Sequence, residues 1–124
     1  AAGANTVTVT FDKAVTYADI RILEYSGLDK VSPVDVTSSA AGSVSPASSG
    51  PATTNFAREL LLGAGMTSGV FSGAGTSYTA RIITKPDADI AEDRNVTSIG
   101  SYSATAPQSG TWVMQMVTFR AAGQ

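Results

Sequence analysis

The chain has 124 residues, 43% of them hydrophobic and 15% charged, with no cysteine and no histidine. That length can bury one core without a disulfide or a metal, and the two absences exclude thiol nucleophiles, disulfide frameworks, Cys/His zinc sites and Ser-His-Asp triads. With 8 basic and 10 acidic side chains the formal charge is −2, so neither nucleic acid nor an anionic membrane surface is an expected partner.

The first element in chain order is Asn5-Thr6-Val7-Thr8-Val9-Thr10-Phe11. Its strict alternation places Val7, Val9 and Phe11 on one side and three threonines on the other, the pattern of a half-buried strand. Asp12-Lys13 interrupts it, and Ala18-Asp19-Ile20-Arg21-Ile22-Leu23-Glu24-Tyr25 predicts a second strand, closed by Ser26-Gly27. Residues 38–54 carry no charge and almost no large apolar group, which reads as a loop. A structureless connection of that length is rare inside a compact domain, so residues 51–55 are expected to lie as an edge strand, where proline is tolerated.

Residues 60–66, Leu-Leu-Leu-Gly-Ala-Gly-Met, predict a central strand whose glycines admit a second layer at close range. Residues 69–76 form a glycine-serine loop. Residues 78–84 predict a strand and Pro86-Asp87 a turn, after which residues 89–94 read as a charged edge strand. Residues 111–120 are the longest apolar stretch, with Trp112, Met114 and Met116 on one face and Val113, Val117 and Phe119 on the other, which predicts a strand covered on both sides. The sum is a single all-β domain over residues 1–124, a two-layer antiparallel β-sandwich, immunoglobulin-like or jelly-roll-like, of about seven or eight strands.

Serine and threonine number 30, alanine 19 and glycine 12, so about half the chain is small, while the charged share is below the ~25% usual for soluble domains. Threonine-rich strands keep an exposed sheet face wet without net charge, and a chain without cysteine is indifferent to redox conditions. Both suit an exported protein, extracellular or at the cell surface.

Three kinds of site can be sought in these residues. Asp87, Asp89, Glu92 and Asp93 are the only acidic concentration and the weak calcium candidates. They lack the glycine and distal glutamate of an EF-hand loop, and in an extended segment Glu92 and Asp93 point to opposite faces, so no metal or other cofactor is assigned. Glu24, Glu59 and Glu92 are the candidates for a glycosidase carboxylate pair, but nothing in the sequence makes two of them converge, and no catalytic set is assigned. Aromatic rings are the usual means by which a β-sandwich grips a sugar, and Tyr17, Phe71, Tyr78 and Tyr102, in or beside turns, are the expected ligand-binding residues. Trp112 and Tyr25 read instead as core.

Residues 5–11, 19–29, 77–81, 89–94 and 110–120 together resemble a poorly characterised β-sandwich module of large secreted proteins of soil bacteria, often beside fibronectin type III or immunoglobulin-like units. The resemblance covers nearly the whole chain and implies export and a sandwich fold, with no activity or catalytic residues to carry over. It also implies that strands preceding residue 5 in the family unit are missing here, leaving a sheet to be completed by another strand. Two functions stay open, both noncatalytic: a module that binds polysaccharide through surface aromatics, or a structural, self-assembling subunit or spacer, of an extracellular protein or filament, that contacts another copy strand to strand.

Overall fold

The computed structural model describes residues 3–16 and 18–124 of the chain. Among the described residues it is all-β: nine strands in antiparallel sheets and no helix, the arrangement of a β-sandwich. Among these residues no helix is long and apolar enough to cross a membrane.

The main sheet has five strands. In chain order they are β1 (Val34–Gly42), β4 (Glu59–Thr67), β5 (Thr79–Ile83), β6 (Ile90–Val96) and β9 (Trp112–Arg120), arranged β1-β9-β4-β6-β5. The short strands β2 (Ala47–Ser48) and β8 (Thr105–Ala106) pair with each other, as do β3 (Ala52–Thr53) and β7 (Ser101–Tyr102). These two small sheets and the loop carrying Phe71 and Tyr78 form the covering layer.

The core lies between the layers. Leu61, Ile90, Met114 and Met116 descend from the main sheet onto Ala47, Phe71, Tyr78, Ala104 and Ala106 of the cover. Each large apolar side chain buried there contributes roughly 1.5–3 kcal/mol. The glycines of β4 make the close approach possible. A Cβ on Gly63 would lie 2.8 Å from the Ala104 Cβ, and one on Gly65 would lie 2.5 Å from the Phe71 ring. At the bulge in β1 between Val34 and Thr37, the fully buried Thr118 hydroxyl accepts the Val36 N–H at 3.2 Å.

Several expectations are corrected. Residues 5–11 form no strand: they are exposed, with Val7, Val9 and Phe11 each 46–50% accessible. Alternation supplies a strand's side-chain pattern but not its hydrogen-bonding partner, and none is present among the described residues. Residues 18–25 form no strand either, lying instead as an arm attached by side chains. Residues 38–54 are more ordered than their composition suggests. Residues 38–42 complete β1, and small side chains there allow β2 and β3 to fold under the sheet. The expected edge strand at residues 51–55 is realised as β3.

Residues 89–94 are not an edge. They belong to β6, which lies between β4 and β5, with Ile90, Ala91, Glu92 and Asp93 all buried. Finally, β9 is central but covered on one side only: Met114 and Met116 are buried while Val113 is 46% exposed.

Candidate functional site

Among the described residues, the expected aromatics do not form a common surface platform. Phe71 is 3% exposed, and its ring packs against Gly65 in the core. Tyr78 is 9% exposed, with its hydroxyl 3.6 Å from the Met116 sulfur, and burial together with the nearby Glu92 charge pushes its pKa up to about 12. Tyr102 is half-buried beneath the Arg94 guanidinium, 5.4 Å from the ring centroid, and its hydroxyl donates to the Ser98 carbonyl at 2.8 Å. Tyr17 lies outside the described residues. Glycine and serine around Phe71 and Tyr78 suggested surface turns, yet those turns fold inward, the Phe71 ring seated over Gly65 of β4 and Tyr78 against Met116.

The acidic residues also sort differently from the sequence reading. Asp87 and Asp89 converge with Asp19, one carboxylate oxygen of each lying within 4.8 Å of the others. Arg21 already supplies positive charge there, donating to Asp19 and, at 2.9 Å, to Asp89, whose other oxygen accepts the Thr67 N–H at 3.0 Å. Glu92 and Asp93 do take opposite faces of β6, so the four proposed calcium ligands do not meet. Asp93, on the outer face, accepts both Arg81 nitrogens at 2.6 and 2.8 Å and the Tyr25 hydroxyl at 2.6 Å. Burial opposes its charge, but these donors outweigh burial and hold its pKa below the ordinary carboxylate value. Burial and the hydrogen bond to Asp93 push Tyr25 up to about 12.

The carboxylates considered for glycoside hydrolysis are dispersed. Glu24 is exposed on the arm. Glu92 pairs with Gly63, four positions along β4 from Glu59, which at ~3.3 Å per residue separates the two by about 13 Å, too far to flank one bond. Glu59 instead neighbours Asp35. Burial, with a smaller contribution from the Asp35 charge, raises the Glu59 pKa. Asp35 stays below the usual range despite its own burial, because its oxygens accept the Asn55 N–H at 2.7 Å and the Asn55 amide at 2.8 Å. The pair fastens the residue-55 turn to β1.

Glu92 is fully buried in the core. One carboxylate oxygen accepts the Gly75 N–H at 2.8 Å, and the other has no hydrogen-bond partner. Burial pushes its pKa up to about 7, the Asp93 charge adds to this, and the Gly75 bond opposes it.

What the sequence reading missed is the outer face of the main sheet. Thr37 and Ser39 of β1, Gln115 and Val117 of β9, and Leu62 and Ala64 of β4 line a shallow cleft of about 570 Å³. The cleft continues to Val113 and to Met66, which is 62% exposed. No lining residue is charged. Over β6 and β5 the same face is covered by the arm, whose Arg21, Leu23 and Tyr25 are its least exposed side chains and whose two polar members engage Asp89 and Asp93. One signal was available: β4 and β9 are apolar on both faces, and a second layer was assumed for each.

Comparison with protein-family models, with curated proteins and with solved structures returns no match for this chain. The class defined by the fold is an all-β protein of antiparallel sheets with one covered and one half-open face.

Proposed function

We propose that the chain is a noncatalytic structural module, exported, whose open sheet face receives extended segments in strand-to-layer contacts. The observation that carries this reading is the uncharged cleft over β1, β9 and β4, bordered on the same face by an arm that has already docked in extended form. An uncharged, half-covered sheet face with Met66 and Val113 exposed serves as an interaction surface, and extended segments are the natural ligands of sheets. Composition supports export: there is no cysteine, and threonine and serine carry the polarity in place of charge. This reading is preferred to polysaccharide binding because, of the four rings expected to grip a sugar, Phe71 and Tyr78 are interior and Tyr102 is occupied by Arg94.

The test is an NMR titration with a synthetic peptide of alternating valine and threonine. Shifts confined to Leu62, Ala64, Val113 and Val117 are expected, together with no retardation in electrophoresis through soluble glucans. Glucan retardation without any peptide response reverses the choice.

A further inference from the structure

We infer that the open face is covered by residues 5–11 of a second copy of this chain, exchanged reciprocally about a two-fold axis. This rests on the reading of the face as a receptor for extended segments, and it names the occupant.

Two unmet demands in one molecule have matching shapes. Residues 5–11 carry Val7, Val9 and Phe11 at alternate positions, all about half exposed, with no strand partner among the described residues. The face offers an uncharged strip of Leu62, Ala64, Met66, Val113 and Val117, with Gln115 between the two valines. Neither surface bears a charge, so close approach carries no unpaired-charge penalty. The side-chain period of a strand is two residues, so three apolar groups at positions 7, 9 and 11 can meet the strip while Thr6, Thr8 and Thr10 remain in water.

Continuity with the existing arm supplies the second observation. Residues 18–25 occupy the face over β6 and β5 and have no strand partner of their own. A donor strand over β4 and β9 would share that face with the arm, about two strand spacings (~10 Å) away. The donor and the arm would together build a second layer from two chains.

The chain's own segment leaves the face at its margin. Phe11 borders a cleft with Met66, Thr67 and Lys85, and residues 5–10 are exposed beyond it. A two-fold exchange uses the same patch on both subunits and closes after two copies, which suits a donor and a receptor carried on one chain.

The experiment exploits the absence of cysteine. V9C and V113C variants are prepared separately, mixed and mildly oxidised, and mass is followed by light scattering. A disulfide-linked heterodimer formed faster in the mixture than either homodimer is the expected result, with the parent showing a concentration-dependent dimer. The triple variant V7T/V9T/F11T changes only exposed side chains; its circular dichroism should match the parent and its dimerisation weaken at least about tenfold. A V9C/V113C double variant that closes within a monomer overturns the exchange. So does a parent that stays monomeric while the synthetic peptide still binds the face, and either result leaves the receptor reading standing. A monomer whose face ignores the peptide removes both.

Discussion

Replacing Glu92 by glutamine isolates a single buried carboxyl. It is fully buried, accepts one hydrogen bond from Gly75, and has its second oxygen unpartnered. Its pKa rises from 4.5 to about 7, mainly through burial. A folded-state pKa above the unfolded value means that the folded protein binds the proton more tightly. The stabilisation is therefore fully present below about pH 4.5 and is lost as pH rises through about 7. At ~1.4 kcal/mol per pH unit the loss is at most about 3 kcal/mol, and less to the extent that water reaches the group. Against a typical stability of ~5–15 kcal/mol this is a measurable fraction. Glutamine keeps the acceptor for Gly75 and never ionises, so E92Q should lose no stability in that window. Urea unfolding at half-unit steps from pH 4 to 8 gives the difference between variant and parent. It should be near its minimum at pH 4, climb between pH 5 and 7, and level off above. The other titrating groups are common to both proteins and cancel in the difference, Glu59 with its raised pKa and Asp29, Asp35 and Asp93 with lowered ones. Parallel curves across the window would refute the assignment of a protonatable core carboxyl.

Glycine substitutions test the close layer contact: a Cβ on Gly75 would sit 1.6 Å from the Thr105 carbonyl oxygen, whereas one on Gly73 meets nothing within 4 Å. G75A should therefore cost more than the ~1–3 kcal/mol of ordinary overpacking, and G73A should stay within about 0.5 kcal/mol of the parent in thermal melts. F71A should destabilise by about 3–5 kcal/mol, as a core truncation does, rather than behave as a silent surface change. D93N weakens the anchor made by Arg81 and Tyr25; limited proteolysis within residues 18–25 should accelerate, with a stability loss of about 1–3 kcal/mol at pH 7. Because the Asp93 pKa is lowered, its contribution is present above the unfolded carboxylate value and fades as pH falls below it. The parent and D93N curves should therefore approach each other in acid.

Where the sequence was legible, local chemistry and fold agreed. The run at residues 60–66 carries apolar groups on both faces with glycine at positions 63 and 65, and it became β4, a central strand with the cover pressed against those glycines. The stretch at residues 111–120 became β9 for the same reason. The site was far less legible. Phe71 and Tyr78 sit among glycine and serine, whose flexibility is compatible with either a surface loop or an inward fold, and only the volume left above β4 selects the latter. Arg21, Tyr25 and Arg81 meet Asp89 and Asp93 across gaps of 68, 68 and 12 residues, as follows from their numbering, and no periodicity encodes such pairings.

By itself the sequence determined the class of fold and the identity of its central strands, because side-chain alternation and glycine spacing are properties of the strand carrying them. It also excluded cysteine and histidine chemistry outright. Only the tertiary structure decided which strand lies at an edge, which ring is interior and which face stays open. Those depend on backbone partners and on the space remaining between layers, and residues 5–11 make the difference plain: their alternation is as regular as any in the chain, yet no strand among the described residues is there to receive them.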